Sequence, residues 1–239
     1  MEISIQGGIV KSAQKVLVYG QHGIGKTTLA SKWPGAVFID LERGTLGYDV
    51  DRLPSPTTWN ELLQEVNWAA QNMTGRTLVI DSADWAERLC EQHVCQQKGV
   101  QGIEDFGYGK GYKIMADEFS RLLKGLSLCV KFGVHVVLVA HDQVSTITLP
   151  GSAAGYSVFG LKLSKHVAPL VKEWADAVLY CRYRTLVIQD EGRSTGHAVG
   201  GDERVMQCTH TATIDAKNRW GLEGEMPMDY EVIRPFIEG

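Results

Sequence analysis

The sequence predicts an α/β fold, with a mainly parallel central sheet flanked by helices and an antiparallel C-terminal extension. Three observations carry this. Short β-branched runs alternate with helix-patterned stretches, as parallel strands joined by crossover helices do. A glycine-rich motif, GQHGIGKT, directly follows the first such run and opens a helix. After residue 172 the alternation gives way to two strand-like runs around a glycine-rich turn.

Taken in order, KVLVYG (15–20), AVFID (36–40), TLVID (77–81) and VHVVLVA (134–140) read as four buried strands. Residues 58–70 and 83–97 read as helices. Residues 112–131 place Met115, Phe119, Leu122 and Leu126 at steps of four, three and four, one apolar face of a long helix. DAVLYCRYRTLVIQD and ERVMQCTHTATID then read as strands joined through the turn EGRSTGHAVGGDE, extending the same sheet. No Pro/Ser-rich linker interrupts the chain, so one domain is expected over 1–239, with its core at about 15–224.

The chain has 239 residues, 44% hydrophobic and 22% charged, which excludes wholesale disorder. No apolar run approaches the roughly 18 residues of a membrane helix. The first residues, MEISIQGGIVKSAQK, lack the features of an export signal, so a cytoplasmic location and no membrane partner are expected. The net charge of -4 excludes a uniformly basic nucleic-acid coat and leaves room for a local basic channel. Five scattered cysteines do not form a disulfide framework. Cys90, His93 and Cys95 would not share one helical face, which argues against a metal site there.

The motif comprises Gly20, Gln21, His22, Gly23, Ile24, Gly25, Lys26 and Thr27, with Thr28 next in the chain. Its glycines let the backbone curl so that N–H groups face phosphate oxygens. Lys26 is then placed to reach the outer phosphates of ATP, and Thr27 to offer its hydroxyl to Mg²⁺. Four apolar residues of TLVID carry Asp81 to the C-terminal end of a buried strand, where such sheets place their ligands. Asp81 is the candidate metal carboxylate; the alternative is that Asp81 or Ser82 caps the following helix.

Asp40 and Glu42 stand at the sheet rim in VFIDLERG. With FIDLE the sequence resembles the RecA-type ATPases, in which the corresponding glutamate polarises the attacking water; the resemblance implies that role for Glu42. It also implies that His141, ending the strand in VLVAHDQ, occupies the place of the residue that senses the γ-phosphate, where recombinases carry glutamine. Residues 98–112 and 143–160 correspond to the family's two DNA-binding loops. AKNRWGLEG resembles the K-x-R-x-G hairpin of DnaB-type helicases, which implies that Lys217 and Arg219 reach a neighbouring subunit's ATP. Over roughly 15–224 the pattern is most similar to phage RecA-like proteins of the Sak type, associated with single-strand annealing.

The loops have their own chemistry. The first interleaves Phe106, Tyr108 and Tyr112 with glycines and Lys110, which suits stacking on unpaired bases, although Glu104 and Asp105 oppose it. The second contributes Tyr156 and Phe159, followed by Lys162 and Lys165. Between residues 143 and 172 there is no carboxylate, where chance would place about three or four.

The expectation is therefore a DNA-stimulated ATPase with Mg-ATP as cofactor. It would form a ring or filament with ATP between subunits, hold single-stranded DNA for annealing or strand exchange, and work beside a single-strand binding protein. Two alternatives stay open: a DnaB-like helicase or helicase loader, and a nucleotide-gated adaptor that binds a protein through the two loops.

Overall fold

Nine strands form the sheet in the computed structural model, which describes residues 7–8, 11–148, 151, 154–189 and 196–239. They are β1 (Lys15–Gly20), β2 (Ala36–Asp40), β3 (Asp51–Arg52), β4 (Thr77–Asp81), β5 (His135–Thr148), β6 (Gly155–Leu161), β7 (Ala177–Gln189), β8 (Gly196–Gln207) and β9 (Glu225–Pro227). The order is β3-β2-β4-β5-β1-β7-β8-β9, with β6 paired to the outer part of β5. The strands from β3 through β7 are parallel; β8, β9 and β6 are antiparallel to their neighbours. The predicted fold class is the one observed.

Strand alternation divides the core in two. Leu17, Tyr19, Leu78, Ile80, Val136 and Leu138 face one layer, packed under α2 (Trp59–Asn72), α3 (Ala83–Lys98), α4 (Lys110–Lys131) and α5 (Val167–Trp174). Val16, Val18, Phe38, Val79, Val137 and Val139 face the other, under α1 (Lys26–Ser31) and α6 (Tyr230–Ile237). Burial on both faces explains why the parallel strands read as continuous apolar runs. The stripe of Met115, Phe119, Leu122 and Leu126 is fully packed, and Trp59 reaches across from α2 to donate a 2.7 Å hydrogen bond to Glu118 on α4. Thr58 caps α2 through a capping box with Glu61, so this helix starts where the sequence places it. All five cysteines are buried free thiols. No helix among the described residues is long and apolar enough to cross a membrane.

Several expectations are corrected. The described residues of 143–160 are mainly strand and not loop: β5 runs on to Thr148 and β6 pairs antiparallel with it, Asp142 with Leu161 and Thr148 with Gly155. The β-branched residues Val144, Thr146, Ile147 and Thr148 favour this hairpin and outweigh the Pro-Gly turn signal at its tip. Residues 98–112 contain a 3-10 turn, Ile103–Phe106, and α4 begins at Lys110. The glycine-rich turn is shorter than expected, because β8 already starts at Gly196, and that strand stops at Gln207 instead of continuing through 215.

Candidate active site

The phosphate-loop motif leaves the end of β1 between β5 and β7, the two strands that pair with it. Gly20 fits there because it has no side chain: a Cβ would lie 2.1 Å from the Cys181 carbonyl oxygen, and its φ is +155°. Gly25, at φ +105°, turns the chain into α1. Gly23, Gly25, Lys26 and Thr27 of the loop, with Thr28, Glu42, Gly44, Tyr48, Asp81, His141 and Arg204, line a cavity of about 310 Å³.

Lys26 is buried at the base of this cavity. Its Nζ donates to the carbonyls of Gly20 (2.8 Å) and Gln21 (2.9 Å), and burial lowers its pKa. Thr27 Oγ1 donates a 2.7 Å hydrogen bond to Asp81 Oδ2 at the end of β4. Burial pushes the Asp81 carboxyl up to about 6, against the opposing effect of the Thr27 bond, with Glu42 and Asp40 adding repulsion. A carboxylate and a hydroxyl held side by side offer the hard oxygen donors that Mg²⁺ takes. Ser82, not Asp81, occupies the cap position of α3, and its side chain makes no capping bond.

Asp40 fixes the loop after β2. Its carboxylate accepts from the backbone N–H groups of Glu42 (3.2 Å), Gly44 (3.1 Å) and Thr45 (2.8 Å), and from the Thr45 hydroxyl. This turn presents Glu42 to the cavity, where Oε1 accepts a hydrogen bond from the Ser82 hydroxyl.

His141 stands at the same rim on β5, 3.6 Å from Glu42 Oε1. Its Nδ1 lies 3.0 Å from Asp84 on the first turn of α3, and its backbone N–H donates to the same carboxylate. A carboxylate only accepts, so Nδ1 carries a proton and Nε2 is left for other partners. Burial alone would raise the Asp84 pKa, but the hydrogen bond and charge of His141 hold it below the usual range. The exposed His22 of the phosphate loop stacks on His141 with centroids 3.8 Å apart. Asp84 escaped the sequence reading; its position three residues after Asp81, in the first turn of the next helix, was the available signal. Arg204 was missed as well.

Lys217 and Arg219 lie elsewhere. The Lys217 backbone pairs with Val178, and Arg219 Nη1 reaches Asp176 at 3.2 Å, beside Lys15 at the start of β1. The length of β1, about 16 Å at the usual rise, separates this corner from the phosphate loop of the same chain.

The candidate DNA residues divide into two sets. Phe106 and Phe159 are half-buried and pack against the core, Phe159 with its ring centroid 5.6 Å from that of Tyr180, so each ring is partly committed to packing. Tyr156 is half-buried on β6. Tyr112 donates its hydroxyl to Glu104, and its ring lies 6.1 Å from that of His166. Tyr108 is fully exposed at φ +49°, between Gly107 at +68° and Gly109 at +69°. Lys110 and Lys165 are exposed and Lys162 half-buried. A second cavity brings both segments together, lined by Glu104, Gly109, Tyr112, Gln143 and Lys165. Lys172 does not line this cavity and is paired with Asp215.

The family model described as AAA domain matches residues 12–220, from just before β1 through the Lys217–Arg219 corner. No curated protein matches the chain significantly.

Proposed function

The chain belongs to the family of AAA domains, which are P-loop ATPases, and from that premise we propose that it binds and hydrolyses Mg-ATP to control a grip on single-stranded DNA. The downstream work would be annealing or strand exchange, as the likeness to RecA-like proteins of the Sak type implies. In this reading Lys26 holds the outer phosphates, and Thr27 with Asp81 holds Mg²⁺, which neutralises charge on the phosphoryl oxygens. Glu42 orients the attacking water and accepts its proton. His141 offers Nε2 to the terminal phosphate, with its tautomer fixed by Asp84.

One observation carries the link to DNA. The strand that holds His141 in the phosphate site continues without a break into the β5–β6 hairpin, whose base meets the Tyr108 loop. A change in the hydrogen bonds of His141 therefore acts on a strand, not on a slack connection, and Asp142 already pairs with β6 at the next residue. The display of Tyr108 supports the same reading. A bulky residue at positive φ is unfavourable, and full exposure gives it no packing in return, whereas stacking on a base would use the ring.

Titration of fluorescent oligo-dT with and without ATP, at two salt concentrations, tests this. Binding should prefer single strands to duplex and weaken steeply with salt. Tyr108→Ala should cost roughly 1–3 kcal/mol of binding. No binding at low salt with ATP present would overturn the DNA reading in favour of a protein adaptor, and strand displacement would favour a helicase.

A further inference from the structure

The antiparallel extension overhangs the phosphate loop. Gly20 is level with Cys181 on β7 and with Met206 on β8. Both strands continue past that point, so Tyr183 and its partner Arg204 stand beyond the end of β1, where the loop begins. Side chains two apart on a strand share a face. Arg204 therefore projects on the same side as Met206, which packs in the core layer beneath α1.

The guanidinium ends at the loop. A Cβ on Gly25 would lie 2.9 Å from Arg204 Nη1, and Arg204 lines the cavity with Lys26, Thr27, Asp81 and His141. The other arginines of this stretch behave differently. Arg182 donates to Glu225 at 2.7 Å, and Arg184 donates to Glu225 and Glu203, each at 2.8 Å. Among the described residues Arg204 makes no ion pair and no side-chain hydrogen bond; its one ring contact is with Tyr183, 6.0 Å from the centroid. Of the described arginines on β7 and β8, two are thus neutralised by carboxylates and the third, Arg204, is aimed unpaired at the place where phosphate oxygens would lie.

We propose that Arg204 is a catalytic residue supplied by the chain's own β8, contacting the terminal phosphoryl group of the bound nucleoside triphosphate. Its planar fork matches oxygens that gain charge as the phosphoryl group transfers, and it complements Lys26, which approaches from the loop. The inference rests on the ATPase reading and goes beyond it. Lys217 and Arg219 are a β1 length away and can serve only another subunit, whereas Arg204 brings a guanidinium to the loop of its own chain.

The test compares wild type, Arg204→Ala and Arg204→Lys in steady-state ATP hydrolysis and in binding of a fluorescent ADP with and without aluminium fluoride. Arg204→Ala should lower turnover by about 10³-fold or more, while ADP affinity stays within about threefold. The extra tightness that aluminium fluoride confers on ADP should disappear. Arg204→Lys should recover only part of the turnover, because a point charge lacks the fork.

Unchanged turnover and unchanged fluoride response in Arg204→Ala would overturn the inference alone, leaving the ATPase intact. Equal losses of ADP and transition-state-analogue affinity would overturn it too, by showing a general defect of the site. So would recovery of activity on mixing Arg204→Ala with Lys26→Ala, which would make the arginine act between chains. A wild type that binds no ATP would overturn the ATPase reading and the inference with it.

Discussion

Thr27 and Asp81, 54 positions apart in sequence, meet at 2.7 Å through a hydroxyl-to-carboxylate hydrogen bond. This contact ties the phosphate loop to the end of β4 and fixes two oxygen donors on one side of the cavity. Lys26 and Glu42 flank the same space but have different tasks, so their variants should fail differently.

Lys26→Ala should abolish ATP binding, because it removes the one buried ammonium at the base of the loop. Glu42→Gln should retain binding and lower turnover by about 10²- to 10⁴-fold, the usual cost of removing a general base. Equilibrium binding of a fluorescent ATP analogue beside a phosphate-release assay separates the two. Wild-type turnover in Glu42→Gln would show that another group orients the water.

Asp84 holds the Nδ1 proton of His141, so Asp84→Asn should release the ring to the other tautomer. Turnover should drop about 10- to 100-fold, as is typical when a buried group that orients a site ligand is lost, with ATP affinity little changed. Nitrogen NMR of the His141 imidazole reads the tautomer directly. An unaltered tautomer in Asp84→Asn would remove Asp84 from the account.

Stability should depend on Glu65. This half-buried residue of α2 has a buried Oε2 with no hydrogen-bond partner among the described residues. Burial, with a further contribution from Glu61, pushes its carboxyl from 4.5 up to about 7. Between those values the folded chain holds a proton that the unfolded chain has released, so stability falls as pH rises through this window. The Gln variant lacks that loss. Glu65→Gln should match wild type in urea midpoint below about pH 4.5 and exceed it above about pH 7. Parallel midpoints at pH 4 and pH 8 would refute the assignment.

The Lys217–Arg219 corner makes a prediction about assembly. Because it is a β1 length from its own phosphate loop, any action on ATP must be on a neighbour's. Lys26→Ala and Arg219→Ala, each inactive alone, should regain activity when mixed, in proportion to the interfaces that pair an intact loop with an intact arginine. Silence on mixing, with co-assembly shown by a labelled subunit, would leave the corner a surface basic turn held by Asp176.

The phosphate loop, the parallel strands and the long helices were legible because each is a local pattern: a motif of fixed spacing between strand and helix, an apolar run, an apolar stripe. Asp81 and Glu42 were legible because strand ends in such a sheet converge on one edge. The outer hairpin was obscured by the turn signal at its tip, and the register that joins β5 to β6 depends on long-range pairing.

What the sequence by itself determined is therefore the sheet, its helices and the phosphate-binding loop, since local spacing and periodicity specify all three. What only the tertiary structure decided is which distant side chains share the site. Asp84 reaches His141 because α3 starts beside the end of β5. Arg204 reaches the phosphate loop because β8 overhangs β1. Phe106 and Phe159 turn to the core while Tyr108 turns to solvent. None of these is written in residue spacing, because each depends on how strands of different length are set side by side and on which face of the sheet a given register leaves a side chain.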